Sequence, residues 1–194
     1  GTPESSKVLY GAGQLARRLK IPFRSGGGLC GSKIPDAQAA YETSNSLNAG
    51  LMGGVNFMLH SCGWLEGGLV TSVEKFIMDA DQLGVLNSLS KGIEVEEEQL
   101  AFDAIKDVGA GGHFLGCDHT QKNFKSAFWR SDILNYKPFE TWQEEGERDL
   151  TFEANKRSKQ LLNNYEPPDL DISKREELTD FVHKKKSSMP DAFV

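Results

Sequence analysis

The chain has 194 residues, 38% hydrophobic and 26% charged, the balance of a folded domain with a core of its own. A formal net charge of -6 excludes a protein whose main partner is nucleic acid, because counterion release at phosphates needs a basic face, and the lysines of "VHKKKSS" read as a solvated helix end. No apolar run is long enough to span a bilayer, and Cys30, Cys62 and Cys117, widely spaced and without a CxxC pair, read as thiols of a cytoplasmic protein.

Thr2-Pro3-Glu4 sets a cap residue before a proline at the first helical position, and Val8, Ala12, Leu15, Ala16 and Leu19 follow at three-and-four spacing, which predicts an amphipathic helix. "KIPFRSGGG" predicts a short strand running into a glycine-rich loop, after which Pro35-Asp36 opens a helix with Ala37, Ala40, Tyr41 and Leu47 on one stripe. "AGLMGG" is a small-residue hinge before the strand "VNFMLH". Thr71 and Glu74 read as the capping box of a helix carrying Val73, Phe76, Ile77, Ala80 and Leu83. "VEEEQLAFDAIKDVG" predicts one more short helix, acidic at its start as the helix dipole prefers. Beyond "GGHFLGCDHT" the pattern changes: "TQKNFKSAFWRSDIL" and "KPFETWQEEGERDLTFEANKRSKQLLNNY" read as helices with aromatic faces, Pro167-Pro168 ends the second, and "SKREELTDFVHKKK" is a final polar helix.

Alternating helices and strands predict an α/β fold built from parallel βα units. Two clear strands, or three at most, are too few for a closed eight-stranded TIM barrel, which takes about 250 residues. The alternatives are a small open sheet and the C-terminal portion of a TIM (β/α)8 barrel followed by a helical appendage; a chain that opens directly on a helix cap favours the second. The expected division is residues 1–120 as the last βα units, 121–186 as the helical region and 187–194 as a frayed tail.

In parallel βα units the chemistry sits where the strands end and their loops converge. Three loops therefore compete. "RSGGGLCGSK" has glycines that let backbone approach a ligand, with Arg24 or Lys33 to meet an anion, yet it matches no phosphate-binding fingerprint and reads equally as a tightly packed turn. In "FMLHSCGWLEGG", strand alternation puts Asn56, Met58 and His60 on one side, so His60 ends the strand near the loop face. His60 there is fit to move a proton or bind a metal, or to be a ring bonded to a backbone carbonyl. Trp64 suits a cage for a quaternary ammonium group, which ring faces hold without hydrogen bonds, or a place in the core. Glu66 balances a cationic substrate or caps the next helix. In "GGHFLGCDHT", His113, Cys117, Asp118 and His119 carry metal-binding atoms at a spacing that matches no zinc signature, and Asp118 or Thr120 alternatively caps a helix.

The segments "GTPESSKVLYGAGQLARRLKIPFRSGGG", "SKIPDAQAAYE", "HSCGWLEGGLVTSVEKFIMDADQLG", "GGHFLGCDHTQKNFKSAFW" and "ANKRSKQLLNNYEPPDLD", collinear over almost the whole chain, resemble the C-terminal part of the trimethylamine methyltransferase family, which includes members that demethylate glycine betaine and related quaternary amines. The resemblance implies a TIM barrel that moves a methyl group from a small methylated amine to the Co(I) of a corrinoid (cobalamin) carried by a cognate corrinoid protein, with no tightly bound metal. On that reading His60 and Glu66 are the candidate catalytic residues, Trp64, Phe23 and Arg24 contact the substrate, and Gly27, Gly28, His113 and Asp118 contact the corrinoid. Trimethylamine-specific members carry pyrrolysine. This chain resembles the branch without it, so a betaine-like quaternary amine, already positively charged, is the expected substrate. A part-barrel exposes apolar edges, which predicts self-association into a homo-oligomer. Two rival readings stand beside this one: a zinc-dependent TIM-barrel enzyme using His60, His113, Cys117 or His119, and a non-catalytic fragment that docks a partner through its aromatic helices.

Overall fold

The computed structural model describes residues 1–189. Helix α1 (Pro3–Leu19) starts where expected, with Thr2 extended at the cap position and Pro3 fixing the first turn, although the Thr2 side chain makes no cap hydrogen bond. It ends at Lys20, whose left-handed backbone (φ 56°) returns its N–H to the Ala16 and Arg17 carbonyls. Helix α2 (Ala37–Gly53) begins under Asp36, whose carboxylate accepts the Ala39 N–H at 3.0 Å. The two helices meet through small residues. A Cβ on Gly13 would collide with the Gly53 carbonyl, and the Arg17 guanidinium donates to that same oxygen.

Strand β1 (Arg24–Gly26) pairs in parallel with β2 (Phe57–Leu59), Arg24 opposite Phe57 and Gly26 opposite Leu59, with α2 as the connection. This is one βαβ unit, and both strands leave it in the same direction. Met58 is the residue of β2 that faces α2: a Cβ on Gly27 or Gly50 would run into its side chain. The expected alternation stops there, because β2 ends at Leu59 and His60 has left-handed backbone (φ 55°), so its ring does not continue the Met58 side.

Beyond β2 the chain folds into a small antiparallel hairpin, β3 (Trp64–Leu65) and β4 (Val70–Thr71), joined by a 3-10 turn over Glu66–Gly68. Helix α3 (Val73–Ser90) follows, capped one residue later than the sequence pattern indicates. Ser72 Oγ accepts the Lys75 N–H at 3.2 Å and donates to Glu74 at 2.9 Å, while the Thr71 hydroxyl is committed to the Gly63 carbonyl at 3.0 Å. Fully or nearly fully buried Ala39, Leu47, Ala49, Leu65 and Leu86 fill the interior, and Cys30, Ala39 and Leu65 touch one another.

Three predicted helices are broken or shortened. The acidic segment divides into α4 (Glu97–Leu100) and α5 (Phe102–Val108), because Ala101 turns left-handed at φ 51°. The next is only α6 (Asp118–Asn123), with Cys117 rather than Asp118 or Thr120 at its cap position, and residues 124–138 that follow are turns and irregular backbone. The third divides into α7 (Phe139–Glu144) and α8 (Leu150–Asn163) at Gly146 (φ 95°) and Glu147 (φ 54°).

Residues 1–160 form one compact unit, extending past the expected division at residue 120. Side chains bind the later segment to α3: Asn155 donates to Glu74 at 2.7 Å and Ser131 to Asp81 at 2.8 Å. The second unit begins at Leu161 and contains α9 (Ile172–Ser188), capped by Asp171 and exposed along its whole length. Residues 187 and 188 of the expected frayed tail are helical, and 190–194 lie outside the described residues. Among the described residues no helix is long and apolar enough to cross a membrane.

Candidate functional site

The loops that leave β1 and β2 are stitched together along their length. Gly27 and Gly28 donate their N–H groups to the Leu59 and His60 carbonyls at 2.9 and 2.7 Å, which extends the parallel pairing past both strand ends. Farther out, Glu66 N–H bonds to the Ser32 carbonyl at 2.8 Å, Gly67 N–H to the Cys30 carbonyl at 2.7 Å, and the Cys30 thiol to the Trp64 carbonyl at 3.2 Å. Glu42 accepts the Gly31 N–H, which with Gln38 holds its carboxyl below the usual range.

On this base the second loop presents its side chains. The His60 and Trp64 rings meet edge to face, centroids 5.3 Å apart at an interplanar angle of 79°. Two residues on, Glu66 is half-buried and, like His60, sits in the left-handed region (φ 50°). Two non-glycine residues with positive φ within seven positions cost conformational energy at a loop tip, a placement associated with functional sites. His60 and Trp64 are thus in ring contact, and Glu66 follows two residues on at the start of the 3-10 turn, its backbone tied to the first loop.

The other sequence candidates fall elsewhere. Phe23 precedes β1, its backbone bonded to Asn56, and Arg24 is the first residue of that strand. With a rise of about 3.3 Å per residue they lie at the opposite strand end from the His60 loop. They line a different groove, of about 640 Å³, between β1, α1 and α2. Gly27 and Gly28 are buried with both amides spent on the neighbouring loop, and a Cβ on Gly28 would strike the Ser61 carbonyl, so these glycines serve close loop packing and have no free amide for a cofactor. Asp118 lines an open cavity of about 670 Å³ with Glu97, Glu98, Asp103 and Asp107, and His113 is exposed on the loop before α6. No hydrogen bond or ion pair among the described residues links either to the His60 loop. Nor do the zinc candidates converge: among the described residues no three His, Cys, Asp or Glu side chains are placed to share an ion.

Sequence reasoning missed a buried polar chain beneath the loops. Lys75 and Asp79 of α3 form an ion pair at 2.6 Å, and Lys75 also reaches Thr43 of α2 at 2.8 Å. Burial pushes the Asp79 carboxyl up, against the opposing pull of Lys75 and the Gly63 N–H. Burial first, and Asp79 second, push the nearby Cys62 thiol up to about 11. An i,i+4 Lys/Asp spacing is the pattern of an exposed helix face, so nothing local in the sequence distinguishes this pair.

Comparison with known proteins agrees with the resemblance read from the sequence. The family model described as trimethylamine methyltransferase (MTTB) matches residues 1–190. A glycine betaine methyltransferase of Desulfitobacterium hafniense (strain Y51) is 41% identical over 185 residues, covering 95% of this chain and 38% of that protein. A trimethylamine methyltransferase MttB from another strain of that species (DSM 10664 / DCB-2) is 32% identical, covering 88% of this chain and 34% of the relative. An L-carnitine:corrinoid methyltransferase of Eubacterium limosum is 31% identical, with 90% and 36% covered. The chain therefore spans little more than a third of the curated relatives it matches. By the extent of the family match and the ordered identity behind it, the chain belongs to the trimethylamine methyltransferase family.

Proposed function

We propose that the protein containing this chain transfers a methyl group from a betaine-like quaternary methylamine to the Co(I) of a corrinoid held by a partner protein, releasing the dimethylamino product and methyl-Co(III). The observation that carries this reading is the His60–Trp64 ring pair with Glu66 on the same loop, at the end of a parallel strand. A quaternary nitrogen has no N–H to donate, so a site for it must offer ring faces and a nearby carboxylate. It already carries the charge that makes a tertiary amine a competent leaving group, and the site has only to orient it and exclude water. The relatives' names, glycine betaine methyltransferase and L-carnitine:corrinoid methyltransferase, support the substrate class and the acceptor.

In this reading β1, α2 and β2 are one βαβ unit of a TIM barrel and the His60 loop lies at its catalytic mouth, in an enzyme that works in the cytoplasm. The test is anaerobic absorbance of a Co(I) corrinoid protein mixed with the full-length protein and a panel of quaternary and tertiary methylamines. Loss of the Co(I) band with growth of methyl-Co(III) for a quaternary amine is the expected result. No spectral change with any amine, from folded protein, removes the reading.

A further inference from the structure

Lys75 and Asp79 stand one turn apart on α3 with side chains only 2% and 5% exposed. The Lys75 ammonium donates to both Asp79 oxygens, at 2.7 and 2.6 Å, and to Thr43 Oγ1 at 2.8 Å, so none of its three protons is free. The Thr43 hydroxyl in turn donates to the Gly28 carbonyl at 3.2 Å. At the other end Asp79 accepts the Gly63 N–H at 2.9 Å. One continuous chain of bonds thus begins in the loop after β1, crosses α2 and α3, and ends in the loop after β2.

Burying two charges is costly even when they pair, and apolar residues of similar volume often serve stability as well or better. What apolar residues cannot do is hold a backbone N–H and a backbone carbonyl at fixed points. Gly63, the residue held, lies between His60 and Trp64, has φ +82°, and is walled in: a Cβ there would come within 3.2 Å of Phe76 and Thr71. We propose that Lys75, Asp79 and Thr43 are positioning residues, which fix Gly63 and Gly28 so that the His60 and Trp64 rings keep the separation at which they hold the amine. This rests on the functional reading above.

The test compares Thr43→Val, which keeps the shape and removes the hydroxyl, with Thr43→Ser, which keeps the hydroxyl and removes a methyl. Both are made in the full-length protein and read by amide exchange of residues 28–32 and 60–66 and by steady-state methyl transfer. The expected result for T43V is exchange in both loops faster by roughly tenfold, with the α3 amides unchanged, and a rise in KM for the amine of the same order that exceeds any fall in kcat. T43S stays close to wild type. A purely volume-filling role predicts the reverse order, and that order, or T43V exchange equal to wild type, overturns the proposal. If T43V does not fold, the wild-type Gly63 amide decides: exchange as slow as the α3 core amides supports the tie, and exchange as fast as an exposed loop refutes it. If wild-type protein demethylates no amine, the functional reading falls, and the exchange measurements alone decide whether the two loops are tied through α2 and α3.

Discussion

Each of the three thiols has a different environment, and reactivity follows from it. The thiolate is the nucleophile, so whatever lowers a thiol's pKa raises its reactive fraction at a given pH. Cys117 is pulled down by its hydrogen bonds to the Thr120 side chain and backbone. Cys30 is raised by burial, and Cys62 is pushed up to about 11. Iodoacetamide at pH 8 is expected to label Cys117 first, half-exposed Cys62 more slowly because its thiolate fraction is small, and buried Cys30 only after denaturation, as mapped by peptide mass. Labelling of Cys62 as fast as Cys117 would contradict the upward push on its thiol from desolvation and Asp79. Trp64 has a test of its own. Its replacement by Ala removes a ring face and is expected to raise KM for a betaine roughly 2- to 30-fold, the range of about 0.5–2 kcal/mol for a cation over an aromatic ring, while Trp64→Phe retains most of the affinity. Equal KM values for wild type and W64A would take Trp64 out of the site.

Glycines within single elements make opposite predictions according to what surrounds them. Gly11 lies on the exposed side of α1 with nothing within 4 Å of a built Cβ, so Gly11→Ala is expected to stabilise the fold by about 0.4–1 kcal/mol through the unfolded chain's lost freedom. Gly28→Ala would drive a methyl into the Ser61 carbonyl and is expected to cost about 1–3 kcal/mol. Urea denaturation of both variants checks the pair. Removing the α3 cap with Ser72→Ala should cost about 1 kcal/mol in the same assay. The starts of α1 and α2 and the positions of β1 and β2 were legible in the sequence because proline, an aspartate cap and hydrophobic period are local signals. The breaks at Ala101 and Glu147 were not, since both residues are ordinary helix formers that turn left-handed against their propensity. The cap moved from Thr71 to Ser72 for a similar reason: Thr71 is drawn away by Gly63, eight residues earlier. At the candidate site, the His60–Trp64 ring contact was within reach of the sequence because the two residues lie four positions apart. Lys75 and Thr43 meet across 32 residues of sequence, and burial of that kind leaves no periodic trace.

At the scale of the whole molecule, β1 and β2 form, among the described residues, a sheet of two parallel strands, whereas parallel sheets ordinarily have both faces covered. Phe57 on β2 is 61% exposed, and Val8 on α1 is 71% exposed. Apolar surface of this kind seeks a partner, so the 194-residue chain expressed by itself is expected to self-associate and to bind a hydrophobic dye, while the full-length protein does neither to the same degree. Light scattering that finds a stable, dye-silent monomer of the short chain would show that these surfaces need no cover. The His60 loop also has two halves with different freedom. From Gly63 to Gly67 its backbone is held by Asp79, Thr71, Cys30 and Ser32, but beyond that the Leu69 side chain is 84% exposed. In the proposed site, bulk at the rim can therefore be varied through the Leu69 side chain alone, with the backbone ties of Glu66 and Gly67 left in place. Preference can drift at that rim over evolutionary time, or be grafted there by an engineer, without disturbing the strands beneath.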